Sequence, residues 1–227
     1  MTTFEKLSNL CVTKMKIKVC GLRNPENIKA VAALGPDYMG FIFYGPSPRF
    51  VDNLHAGSLA NIPSSVYKTA VFVNENGETI SKLVDKYHFD AIQLHGSEHP
   101  DFCYSFRNKV KVIKAFGLDN NFDFGQLKAY ANKVDFFLFD TKTVIHGGAG
   151  KTFDWSVLNK YELDVPFFLS GGISPDNLDE IKNISHPQFY GVDLNSKFET
   201  APGMKDINKL EKAFEIIKQN ITDELRS

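Results

Sequence analysis

The chain has 227 residues, 43% of them hydrophobic, and its 26 Lys+Arg nearly balance its 27 Asp+Glu for a formal net charge of -1. That length and apolar content suit one globular domain with a full core, and the balanced charge excludes the broad electrostatic footprint of a nucleic-acid binder or of a protein drawn to an anionic membrane. Cys11, Cys20 and Cys103 form no CxxC pair and no disulfide framework, Glu5 and Lys6 precede no long apolar stretch, and no run reaches the roughly 18 apolar residues of a membrane span, so a reducing cytoplasm fits best.

Residues 1–14 have no place in the pattern that follows and read as an N-terminal extension to a single domain over 15–227. From Met15 onward, short β-branched or aromatic runs alternate with amphipathic stretches: KIKVC (16–20), YMGFIFY (38–44), YKTAVFV (67–73), AIQLH (91–95), KVIKAF (111–116), DFFLFD (135–140), PFFLS (166–170) and FYGVDL (189–194). Several are apolar throughout, as expected of strands covered by helices outside and by a packed core inside. Asn24-Pro25 before ENIKAVAAL, Asn76 before GETISKLVDKY and Ser174-Pro175 before DNLDEIKNI are helix starts. LHAGSLANIP, after the second strand, offers only a short helix, whereas residues 205–220 repeat apolar positions at three and four and predict an exterior helix. Repeated βα units in this length predict an α/β fold, a single (βα)8 TIM barrel.

In such a barrel the reacting groups come from the C-terminal ends of the strands. Cys20 closes the first run, where it is either a small buried hydrophobe or a base that acts through its thiolate. Asp140 closes the sixth; desolvation there raises a carboxyl above its usual value of about 3.9 and suits a proton donor, unless backbone amides or Lys142 tie it down. Together the two make a base facing an acid. Gln93 and His95 close the fourth run, with His95 either a base or a group that positions substrate. The histidines have no metal-ligand spacing, and no metal is expected.

Gly171 and Gly172 precede the helix predicted near Ser174, so amides and a helix N-terminus can converge on an anion, joined by Asn195 and Ser196 after the eighth strand; plain turn chemistry is the alternative. HGGAGKTFDW (146–155), with Gly148 and Gly150, reads as a loop able to fold over a phosphate, or as a long surface loop, and lacks P-loop spacing. Arg49, in GPSPRFV, either grips a carboxylate in a bidentate fork or lies exposed on the surface.

IKVCG, SPRFV, QLHG, FDT, GGAGKTFDW, LSGGISPDN and GVDLNSKFETAPGMKD, in this order over residues 15–220, resemble the phosphoribosylanthranilate isomerases of tryptophan biosynthesis. The resemblance implies a TIM barrel that converts N-(5'-phosphoribosyl)anthranilate to 1-(2-carboxyphenylamino)-1-deoxyribulose 5-phosphate, an Amadori rearrangement that needs no cofactor. It implies Cys20 as the base for the C2 proton, Asp140 as the acid, Arg49 on the anthranilate carboxylate, the loops after strands six to eight on the phosphate, and Asp193 near the substrate. The expected partner is a phosphorylated small molecule, with no nucleic acid and no membrane, bound by a monomer or a homodimer. Lys197-Phe198 departs from the small residues of many relatives. The related isomerase of histidine biosynthesis, which uses two aspartates, is disfavoured by Cys20; a barrel that only binds phosphorylated ligands is disfavoured by the presence of both Cys20 and Asp140.

Overall fold

The computed structural model describes residues 15–141 and 154–224. Eight parallel strands close into a barrel in chain order: β1 (Lys16–Val19), β2 (Tyr38–Ile42), β3 (Tyr67–Phe72), β4 (Ala91–Leu94), β5 (Lys111–Leu118), β6 (Phe136–Thr141), β7 (Phe167–Ser170) and β8 (Phe189–Leu194). Closure is made by β8 on β1, with Lys18 opposite Asp193. Each strand lies within or overlaps one of the predicted apolar runs.

Between strands lie α1 (Pro25–Ala33), α2 (Ala56–Ala60), α3 (Gly77–Tyr87) and α4 (Pro100–Tyr104), then 3-10 turns over Phe124–Tyr130, Trp155–Lys160 and Leu178–Asn183, and the closing α5 (Ile207–Glu224). The caps explain the starts. Asn24 accepts from the N–H of Asn27, and Asn76 from that of Thr79, each satisfying one of the donors that a helix N-terminus leaves unpaired. α2 is short, as its sequence predicts. α5 buries Leu210, Ala213, Phe214 and Ile217, which recur at the helical period on one face, and packs on the 3-10 turn over Leu178–Asn183. Each large side chain so buried contributes about 1.5–3 kcal/mol.

The helix predicted from Ser174 is not formed there. Asn177 folds its side chain back, accepting from the N–H of Ser174 and donating to the carbonyl of Gly172, and the 3-10 turn begins only at Leu178. Asparagine competes with helix by such local bonds. A hairpin absent from the sequence reading, β9 (Glu199–Ala201) with β10 (Met204–Lys205), follows β8 and is pinned to α1 by paired bonds between Asn27 and the backbone of Lys205.

Alternation sorts each strand. Ile17 and Val19 join the core under the helices, while Lys18 points inward. The barrel interior is filled at the strand starts by an aromatic plug of Tyr38, Phe136, Phe168 and Tyr190, with the Tyr38 and Tyr190 hydroxyls 3.2 Å apart. A register shift between β7 and β8 lets both Tyr190 and Asp193 face inward despite their odd spacing.

Candidate active site

Opposite the aromatic plug, the strand C-termini open a mouth lined by residues from distant parts of the chain. Cys20 follows β1 and is only 3% exposed, its N–H bonded to the carbonyl of Leu194. Gly40 on β2 makes room for it: a Cβ there would lie 2.6 Å from Sγ. Burial pushes the thiol up from its ordinary value; the ammonium groups of Lys18 and Lys205 pull against this, and the Asp193 carboxylate adds to it.

The buried ion pair beside the thiol was not anticipated. Lys18 Nζ lies 2.7 Å from Asp193 Oδ2, both side chains closed to solvent. Burial works against the Lys18 ammonium, but Asp193 and the Cys20 thiol outweigh it and hold Lys18 above its usual range. Asp193, expected near a ligand, is held by Lys18 through Oδ2, and its Oδ1 is buried without a partner among the described residues. The signal for Lys18 is in KIKVC: two residues before Cys20, it shares the inward face of the strand between the apolar Ile17 and Val19.

Asp140 sits at the end of β6 with its side chain 39% exposed, so it is not the desolvated strand-end carboxylate that the sequence predicts. Its Oδ2 lies 3.4 Å from His95 Nε2. The Gln93 amide lies 2.9 Å from His95 Nδ1; donating there, it leaves the ring proton on Nε2, facing Asp140. Gln93 itself is buried, so it serves the histidine from below.

Arg49 is half-buried and already partnered. Its stem lies over Gly21, whose φ of 80° suits the glycine and where a Cβ would approach Arg49 Cδ to 2.6 Å. Its Nε and Nη2 grip Glu199 in a fork, with Nη2 to Oε2 at 2.7 Å. Glu199 also accepts from Lys205 Nζ at 2.7 Å and from the N–H of Gly203. Burial opposes the charge on Glu199, yet Arg49, Lys205 and this amide outweigh it and hold the carboxyl below its ordinary value. Lys205 reaches on to Asn195 Oδ1 at 2.8 Å, which fixes Asn195 beside Gly21. The hairpin that supplies Glu199 and Lys205 is too short and too polar to show a period-2 signal.

Gly171 and Gly172 both take positive φ, 72° and 67°, at the end of β7, with Ser196 exposed after β8. Lys197 is exposed, and Phe198 is fully buried. Gly148 and Gly150 lie outside the described residues. Among the described residues no three His, Cys, Asp or Glu side chains group as metal ligands.

A family model described as N-(5'phosphoribosyl)anthranilate (PRA) isomerase matches residues 17–216. The chain belongs to the phosphoribosylanthranilate isomerase family. The N-(5'-phosphoribosyl)anthranilate isomerase of Parabacteroides distasonis is 46% identical over 199 residues, 86% of this chain and 90% of that one. The crystal structure of phosphoribosyl anthranilate isomerase from Thermotoga maritima superposes with a TM-score of 0.76 at 32% identity, over 90% of this chain and 99% of that one. A phosphoribosyl anthranilate isomerase in complex with reduced 1-(o-carboxyphenylamino)-1-deoxyribulose 5-phosphate matches with a TM-score of 0.74 at 29% identity, over 90% of this chain and 99% of that one. In this chain IKVCG and FDT both stand at strand C-termini on one rim.

Proposed function

We propose that this isomerase converts N-(5'-phosphoribosyl)anthranilate to 1-(2-carboxyphenylamino)-1-deoxyribulose 5-phosphate with Asp140 as general acid and Cys20 as general base. The observation that carries the assignment of roles is their placement: a carboxyl at the end of β6, turned to His95, and a thiol directly after β1, three strands further around the same ring.

Asp140 gives its proton to the ribose ring oxygen as the C1–O bond breaks, and the anilino nitrogen donates its lone pair to form a Schiff base at C1. Cys20 thiolate then takes the C2 proton; the C–H electrons form the C1=C2 bond, and the nitrogen recovers its pair. The resulting enolamine loses the proton of its C2 hydroxyl and gains one at C1, leaving the ketone and returning both groups to their starting states. Proton transfer by a placed group contributes typically 10²–10⁴-fold.

Gly171, Gly172, Asn195 and Ser196 offer backbone and side-chain donors for the phosphate where barrels commonly bind one. Gly148 and Gly150 belong to the same reading by sequence. Arg49 holds the anthranilate carboxylate through the nitrogen that Glu199 does not engage. The two thiols among the described residues, Cys20 and Cys103, are both free, which supports a reducing cytoplasm as the compartment.

The test follows the loss of anthranilate fluorescence from freshly made phosphoribosylanthranilate. Wild-type protein is expected to accelerate it, and Cys20→Ser and Asp140→Asn to lose most of that turnover while staying folded. Wild-type-like rates in either variant would remove that residue from its role.

A further inference from the structure

A second buried ion pair lies outside the barrel interior, on the outer side of β5, and the reaction as written does not use it. Lys114 and Glu98 are 1% and 3% exposed, with Nζ 3.2 Å from Oε2. Ala115 and Ile113, flanking Lys114, face the interior, so Lys114 points away from it, under the turn after β4.

That turn carries His95. Lys114 Nζ donates to the carbonyls of Leu94 at 3.2 Å, Gly96 at 2.8 Å and Ala115 at 2.9 Å. The Glu98 carboxylate accepts from the N–H of Gly96 at 2.9 Å and from that of Asn74 at 2.9 Å. Asn74, held at φ 51°, accepts from the N–H of Ser97, and its side chain lies so close to Gly96 that a Cβ there would meet Oδ1. Tyr130 donates its hydroxyl to the carbonyl of Glu98. The backbone on both sides of His95 is therefore tied to one ammonium and one carboxylate, while the ring is set by Gln93 below and faces Asp140 above.

Burying an ion pair gives little stability over apolar packing of equal volume, and burial pulls the Lys114 ammonium below its usual range against the attraction of Glu98. What the pair supplies is fixed geometry. We infer that Lys114 and Glu98 are positioning residues that lock the turn after β4 so that His95 presents Nε2 to Asp140. The inference rests on the assignment of Asp140 as the acid.

The decisive experiment is a double-mutant cycle of Glu98→Gln and His95→Asn on the full chain, read as kcat and KM. Glu98→Gln keeps shape and acceptor oxygen and is expected to lower kcat roughly 10- to 100-fold with KM within about twofold, the scale of a misplaced catalytic group. In the His95→Asn background it is expected to cost almost nothing further. Equal losses in both backgrounds, or no loss at all, would overturn the inference. If Glu98→Gln does not fold, Asn74→Gly, which takes the same φ without strain and deletes the bond to Ser97, reads the same coupling. Asp140→Asn separates the two claims: retained turnover there removes the acid itself, whereas its loss together with additive effects of Glu98→Gln and His95→Asn removes only the positioning role.

Discussion

Lys18 and Asp193 close the seam of the barrel between its first and last strands, 2.7 Å apart and sealed from water, one inward position before Cys20 on β1. The two charges act on the thiol with opposite sign. Lys18→Met is therefore expected to raise the Cys20 pKa further, and Asp193→Asn to lower it. Thiolate absorbance against pH, taken as the difference from the matching Cys20→Ser protein, measures this; shifts of the same sign in both variants would show that the pair does not tune the thiol. Either variant leaves a buried group unpaired and should cost roughly 3–5 kcal/mol of stability, so the titrations belong at low temperature.

Room for the thiol is the second point. Gly40→Ala places a methyl 2.6 Å from Sγ and 3.1 Å from the Cys20 Cα, so the thiol must rotate and the strand must give. Overpacking of this kind costs typically 1–3 kcal/mol. A reduced kcat with a modest fall in thermal midpoint is expected. Unchanged kcat in the fluorescence assay would mean that the thiol has freedom the packing does not suggest.

Eight strands, the caps at Asn24 and Asn76 and the positions of Cys20, His95 and Asp140 could be read from sequence because each rests on local signals: apolar runs, a capping side chain, a polar residue that ends a strand. What could not be read is made by contacts between distant residues. The Lys18–Asp193 pair shows only once β8 is paired with β1, and the grip of Arg49 on Glu199 only once the hairpin brings Glu199 to it. The start predicted at Ser174 failed for a local reason, the turn made by the Asn177 side chain, which competes with the same proline signal.

Glu199 gives a pH dependence with a defined sign. Its folded-state pKa lies below its ordinary 4.5, so its contribution to stability is fully present above that value and is lost as pH falls through the lower, folded-state one. Unfolding free energies of wild type and Glu199→Gln from denaturant titrations are expected to differ at pH 7, by about 1–3 kcal/mol for a lost charged hydrogen bond, to begin converging below pH 4.5 and to meet below the folded-state pKa. A gap that persists into acid would place the effect in packing.

Arg49→Ala is expected to act mainly on KM. It removes the guanidinium and leaves the Glu199 carboxylate balanced by Lys205 and the Gly203 N–H alone, so that more of its negative charge reaches an anionic substrate and the loss should exceed that in Arg49→Ala/Glu199→Gln. Steady-state kinetics of the two proteins decide it. An unchanged KM in the single variant would count against the carboxylate grip.

The join between β8 and β1 also orders events during synthesis. The strand that bears the thiol leaves the ribosome first, and the carboxylate that neutralises its neighbouring lysine comes 175 residues later. Until then β1 has an open hydrogen-bonding edge and an ammonium with no buried partner. A nascent chain short of β8 is thus a poor fold and an incomplete catalyst at once, lacking both the partner of Lys18 and the hairpin that follows β8.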